Sequence, residues 1–264
     1  MSESRELFRA GKLSDCLTAL QGEVRRAPAD GKLRTFLAQV LMVTGDWDRA
    51  LNQLQVAGEL DAAALPMKHA YSTAIGCERL RTAVFAGEKR PLILGDPPKW
   101  IAPLLESLTT LARGRSEEAA ALRAQALEEA PAIPGQMNGT AFEWIADADS
   151  RLGPVLEVIV NNAYYWAPFS RIRRIVIEPP ADVRDLVWMP VQITWSNEGE
   201  AMGLVPSRYP GSEHSADDAI RMARRTDWRD LGHETFVGLG QRLLTTSGDE
   251  IGLLEVRELT LEVA

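Results

Sequence analysis

The sequence predicts a multidomain α and β fold, with an array of α-helical hairpins over residues 1–133 and a β-rich unit over 134–264. Three observations predict it. An eight-residue pattern recurs in the first half, as AGKLSDCL at 10–17, TGDWDRAL at 44–51 and RGRSEEAA at 113–120. Apolar residues there fall three and four apart, the spacing of one helix face. After Pro134-Gly135 the texture changes to short runs rich in β-branched and aromatic residues, closely bounded by turn formers.

In the first half, Gly11 and Gly45 stand 34 positions apart, as do Leu13 and Trp47, and Cys16 and Ala50. Gly114 and Ala119 repeat the relation in a third copy. Pro28 and Pro131 each follow their glycine by 17 positions and stop a helix, because proline cannot continue one without losing a backbone bond. A period near 34 with glycine at the inter-helix turn is that of tetratricopeptide-like hairpins, which must stack to bury their apolar faces. Leu33, Phe36, Leu37, Val40 and Leu41 form one stripe; Trp47, Ala50, Leu51 and Leu54 form the next, with Trp47 expected in the core. Residues 87–99, GEKRPLILGDPPK, read as a crossing loop, and Pro98 suits the first turn of the helix after it.

In the second half, strands are expected over 155–160, 172–178, 186–195, 201–205, 236–239, 242–246 and 251–261. One helix near 216–225 would be capped by Ser215. Little helix and close turns point to an antiparallel α+β domain, small and barrel-like. Trp188 and Trp195 are an odd number of residues apart, so a regular strand places them on opposite faces unless Pro190 forms a bulge. Tyr164-Tyr165-Trp166, before Pro168, reads as a turn or a strand edge. Arg171, Arg173 and Arg174 read as charges on an exposed edge.

Composition narrows the function classes. The 264 residues are 45% hydrophobic and 25% charged, as in a globular protein, and the net charge of −8 opposes a nucleic-acid partner. No window approaches ~18 uninterrupted apolar residues, so no membrane partner is expected, and the N-terminus does not read as a secretion signal. Cys16 and Cys77 read as small buried residues of a cytoplasmic protein.

A search for reactive groups finds no catalytic residues, metal ligands or cofactor motif. His69, His214 and His233 have no second histidine or cysteine at ligand spacing. Ser212, His214, Ser215 and Asp217 are too close in sequence for a triad and read as a helix cap. Gly238-Leu-Gly240 lacks the third glycine and following helix of a dinucleotide loop. Glu143, Asp147 and Asp149 read as helix-surface charge.

The runs RTFLAQVLMVTGDWDRALNQL at 34–54, LGDPPKW at 94–100, FEWIADADSRLGPVLE at 142–157, YYWAPFSRI at 164–172, PADVRDLVWMP at 180–190, LVPSRYPGSEHSADDAI at 204–220, RTDWRDLG at 225–232, GLGQRLL at 238–244 and LLEVREL at 253–259 together resemble the ImpE/SciE/TagJ family. These are accessory proteins of bacterial type VI secretion. The resemblance spans essentially the whole chain. It implies a soluble cytoplasmic protein without catalytic activity, bound to a helix of the small subunit of the contractile sheath. By extension, it implies a link to the AAA+ ATPase that disassembles the sheath. A groove between stacked hairpins suits such a helix, with Arg34, Gln39 and Lys68 as candidate contacts. The matching motifs also hold a polar cluster, structural or binding: Arg208, Tyr209, Glu213, Asp227, Trp228, Gln241 and Arg242. A different class is an enzyme in the second half, with Arg208, Tyr209, Glu213, His214, Asp227, Gln241 and Arg242 converging in a cleft and the repeats recruiting substrate. Their plain reading is a buried network pinning loops to the sheet.

Overall fold

The computed structural model describes residues 2–263. Among the described residues, seven helices fill most of the first half: α1 (Glu3–Arg9), α2 (Leu13–Arg26), α3 (Gly31–Val43), α4 (Trp47–Leu60), α5 (Leu65–Phe85), α6 (Ile101–Ala112) and α7 (Ser116–Glu129). Asp30 starts α3 by accepting the backbone N–H groups of Lys32 and Leu33, 2.9 and 3.1 Å away. Gly11, Gly45 and Gly114 occupy the turns of α1–α2, α3–α4 and α6–α7 at φ of +75°, +74° and +78°. At each turn the residue after glycine donates back five positions, Lys12 to Leu7, Asp46 to Leu41 and Arg115 to Thr110. That bond closes a Schellman turn, whose left-handed position favours glycine.

The strands are β1 (Leu92–Ile93), β2 (Gly135–Met137), β3 (Thr140–Phe142), β4 (Ile145–Asp147), β5 (Val155–Val160), β6 (Ala163–Pro168), β7 (Ile172–Val176), β8 (Trp188–Trp195), β9 (Glu200–Pro206), β10 (Thr226–Asp230), β11 (Phe236–Gly240), β12 (Leu243–Thr246), β13 (Glu250–Gly252) and β14 (Glu258–Leu261). Nine form one sheet in the order β1-β6-β5-β9-β8-β7-β14-β2-β3. β10 and β11 form a ribbon, and β13-β12-β4 a small third sheet. The architecture is α+β.

Several local expectations are corrected. The large sheet is mixed, because the crossing loop contributes β1, which pairs parallel to β6. Tyr164-Tyr165-Trp166 therefore lies in an interior strand. The strand carrying Arg173 and Arg174 is interior too, between β8 and β14, and the irregularity in register falls between Ile172 and Arg174 rather than at Pro190. The late helix is only α8 (Asp218–Arg221), capped by the Asp217 side chain, while Ser215 accepts from the Asp217 N–H. It ends where Ala223 turns left-handed at φ +53°.

The helices pack on one face of the large sheet. Val155, Ile159, Tyr164, Trp166 and Trp188 share a core with Phe36, Leu41, Leu54, Ile75 and Leu104. The other face buries Leu156, Val158, Met189, Val191 and Ile193 with Ile145, Leu244, Leu253 and Leu259. Trp188 and Trp195 do face opposite sides, Trp188 in the first core and Trp195 against the second. Trp47 is only partly buried within the helices; its ring stacks on Trp188 at 5.9 Å. The two indoles join the helices to the sheet, and burying one is worth on the order of 5 kcal/mol.

Candidate functional site

One end of the first two helix pairs is closed by the segment 208–224. Arg208 is buried and donates to the carbonyls of Val43 (2.7 Å) and Met42 (3.4 Å) at the C-terminus of α3. Arg224 donates to Phe8 and Arg9 at the C-terminus of α1. The Asp218 carboxylate accepts from Leu13 N–H, 2.9 Å away, at the N-terminus of α2. Cations thus meet two helix C-termini and an anion meets an N-terminus, each completing orphan backbone groups and matching the helix dipole. Glu213 packs its methylenes against Gly45 in the α3–α4 turn.

Behind this clamp lies a buried charge network. Arg242 is fully buried and pairs with Asp147 and Glu157, and its Nε donates to Pro206. Arg81 of α5 also pairs with Glu157, at 2.7 and 2.9 Å, and donates to the Arg208 carbonyl at 2.8 Å. Tyr164 donates to Glu157, Trp166 to Tyr164, and Trp188 to Glu78. Burial opposes ionisation of Glu157, but Arg81 and Arg242 outweigh it and hold the carboxyl at about 2. Burial raises Asp147 to about 6, opposed by Arg242 and reinforced by Asp149. The Arg242 guanidinium is disfavoured by burial and then raised by its two carboxylates. Every charge here is paired, as a buried ion must be.

The opposite end of α3 and α4 is open. A groove of about 720 Å³ runs there, floored by Phe36, Ala57, Leu60 and Ala64 and walled by Ala181, Asp182 and Val183. It continues into a second hollow of about 300 Å³ beside Phe8, Pro180 and Leu186. Arg5 borders both hollows and lies 4.5 Å over the Phe36 ring. Phe36 packs edge-on against Phe8 at 5.9 Å. Leu60 is 44% exposed, a large apolar side chain left uncovered. The far wall is fixed by Asp182, which accepts from Gln39 (2.6 Å) and Arg184 N–H (3.0 Å), and by Asp185, which accepts from Ala181 and Asp182 N–H. The groove is therefore composite, with one wall supplied by the chain between β7 and β8.

Of the three expected contacts, Gln39 lines this groove and is buried. Arg34 turns away to the Pro28 carbonyl and Gln53, and Lys68 lies against Gly58. Within the polar cluster, Arg208, Tyr209, Gln241 and Arg242 come together inside the protein. Arg208 and Gln241 form a β-bridge; the Tyr209 hydroxyl accepts from Leu243 N–H at 3.0 Å; Gln241 spans Ala223 and Leu254. Trp228 packs on Tyr209 at 5.6 Å, whereas Asp227 and His214 are exposed, Asp227 pairing with Arg225. Asp147 and Asp149 are not helix-surface charge: both are buried, Asp147 in β4 and Asp149 in the turn after it, bound to Arg151 and Gly238 N–H. The residues sequence reasoning passed over are Arg5, Phe36, Asp182 and Arg81. Only Phe36 carried a signal, as a stripe residue.

Residues 139–260 match the family model for the ImpE protein. The chain belongs to the ImpE family, whose matched region spans most of the sheet and the clamp. It is 52% identical over 259 residues to the type VI secretion system accessory component TagJ of Pseudomonas aeruginosa, covering 98% of this chain and 91% of that one. The crystal structure of protein VPA1032 from Vibrio parahaemolyticus shares the fold, with a TM-score of 0.90 over 100% of this chain and 98% of that one at 23% identity.

Proposed function

We propose that this protein is a cytoplasmic accessory factor of a type VI secretion system that acts by binding and not by catalysis, holding a helix of the contractile-sheath small subunit in the groove beside α3. The observation that carries the reading is the groove itself, an open hollow between α3, α4 and the chain before β8 with Leu60 exposed at its edge, a shape that suits a docking amphipathic helix. The 52% identity to a type VI accessory component supplies the system. No helix among the described residues is long and apolar enough to cross a membrane, which agrees with work beside the sheath. On this reading residues 1–133 form a tetratricopeptide-like recognition half, and 134–264 a barrel-like support that adds the second wall. The finer link, to the disassembly ATPase, follows if the protein holds the sheath subunit and the ATPase together.

The test is fluorescence anisotropy of a labelled peptide carrying the sheath small subunit's helix, titrated with the full chain. Saturable binding at tens of micromolar or below supports the reading, and loss of that binding on Leu60→Asp, at an exposed position, assigns it to the groove. No binding of peptide or intact subunit at that concentration rejects it. Retention of the ATPase on immobilised protein only when the sheath subunit is present would support the link; equal retention without it would oppose it.

A further inference from the structure

The two long edges of the β10–β11 ribbon differ. Along β11, the outward N–H groups of Phe236, Gly238 and Gly240 donate to Ser150, Asp149 and Ser212, and the Phe236 and Gly240 carbonyls accept from Ser150 and Tyr209 N–H. On β10, Gln241 N–H donates to the Arg225 carbonyl, and Leu231 N–H donates to Thr235. With the register between the strands, this turns the backbone groups of Arg225, Asp227, Arg229 and Leu231 inward, to β11. Those of Thr226, Trp228 and Asp230 point outward and meet no partner among the described residues. The strand has no bulge and no proline, and Asp227, Trp228, Arg229 and Asp230 are all exposed. An open edge of that kind accepts another strand.

The side chains decide which strand. Charge blocks an edge when like meets like, but the run Thr226-Asp227-Trp228-Arg229-Asp230 opposes unlike charges against its own antiparallel copy. Centred on Trp228, that pairing sets Thr226 opposite Asp230 and Asp227 opposite Arg229, twice over by symmetry. Parity agrees, because Thr226, Trp228 and Asp230 then form the hydrogen-bonded pairs. Asp227 and Arg229 fall in the pairs between, where side chains come closest. Arg229 makes no ion pair among the described residues, and Asp227 uses only Oδ2 on Arg225, 2.7 Å away. A slip of two residues either way would oppose Asp227 to Asp227 or Arg229 to Arg229, so one register is favoured. The Trp228 indoles, each 38% exposed and packed on Tyr209, meet at the two-fold axis.

We propose that two copies of this chain join through β10, pairing antiparallel about Trp228 into a four-stranded ribbon whose register is set by Asp227 opposite Arg229. The inference is independent of the helix-docking reading. A five-residue edge is small beside the roughly 1,200–2,000 Å² of a stable interface, so the dimer is weak and forms where the protein is concentrated.

Sedimentation velocity of the full chain, from about 5 to about 300 µM at low salt, tests it. The variants are Arg229→Asp, whose strand carries acids at both positions, and Asp227→Arg, whose strand carries bases at both. Thermal unfolding checks that each folds. The wild type should show a dimer whose share rises with concentration, and each variant alone should weaken it about tenfold. An equimolar mixture of the two variants should recover the dimer, because acids then face bases at every charged pair. That recovery cannot come from a chain that failed to fold. A wild type that stays monomeric throughout overturns the inference and leaves the edge to a strand of another protein. A dimer that survives both substitutions overturns it too, since the contact then lies elsewhere. So does a mixture that stays monomeric.

Discussion

The Arg208 guanidinium ends α3 from across the fold, its Nη1 2.7 Å from the carbonyl of Val43 although 165 positions separate the two residues. Helix C-termini carry carbonyls without intrahelical donors, and a buried end needs an outside partner. Arg208, Asp218 and Arg224 supply partners to three helix ends at once, so the clamp fixes one end of the bundle while the groove stays open at the other.

Arg208→Ala is expected to cost about 2–4 kcal/mol, because it removes charged hydrogen bonds and leaves buried carbonyls unpaired. Denaturant midpoints measure the loss. Hydrogen exchange places it, since protection should fall first in the last turn of α3 and the Thr44-Gly45 turn. Uniform loss of protection through the sheet, with that turn unaffected, would contradict the capping role.

Gly45 is constrained twice. Its φ of +74° strains any other residue, and a Cβ there would stand 2.7 Å from Cγ of Glu213. Gly45→Ala is expected to destabilise by about 2 kcal/mol or more, roughly 1 from the backbone and the rest from the collision. Trimming Glu213 to alanine should recover the collision part only. A double-mutant cycle on unfolding free energies reads the coupling, and strict additivity would show that the contact is not tight.

These turns were legible beforehand because a Schellman turn writes glycine at a fixed place, and three such turns gave the 34-residue echo. The opposed faces of Trp188 and Trp195 followed from strand parity alone. The clamp was not legible as a clamp. Arg208 and Asp218 sit in one motif, but their partners are backbone atoms at 42–43 and 13, and backbone acceptors leave no mark on sequence. Asp147 resembled surface charge because the arginine that neutralises it lies 95 positions away. The groove's second wall was hidden for the same reason, since Gln39 meets Asp182 across 143 positions. The ribbon β10 escaped notice because its exposed TDWRD run lacks an apolar alternation.

Glu157 of β5 joins Arg81 of α5 to Arg242, which lies between β11 and β12. Glu157→Gln keeps the shape but removes the one carboxylate shared by two buried guanidinium groups. A loss of about 3–5 kcal/mol is expected, the usual cost of breaking a buried pair from one side. Thermal unfolding of the variant reads it. Partial rescue by Arg81→Met in the Glu157→Gln background would identify the stranded charge, and not lost packing, as the cause. No rescue would assign the loss to packing.

Asp147 sets an opposite pH dependence. In an unfolded chain its carboxyl titrates near 3.8, and burial raises it to about 6 in the folded protein. Between those values the folded state binds more protons than the unfolded one, so this group's contribution to stability falls as pH rises from 4 to 6 and is fully unfavourable at pH 7. The displacement corresponds to on the order of 3 kcal/mol. Asn at this position cannot ionise, so Asp147→Asn should gain on the wild type by that amount between pH 4 and pH 7, whatever constant offset the lost contact to Arg242 introduces. Glu157 works the other way: its folded value of about 2 lies below its unfolded 4.5, and its contribution is lost as pH falls through that range. That term is common to both proteins and largely cancels in their difference. Urea midpoints of the two proteins at pH 4, 5, 6 and 7 measure the effect. A difference that stays flat across the series would mean that Arg242 fully compensates the buried Asp147 carboxylate, and that burial does not govern its titration.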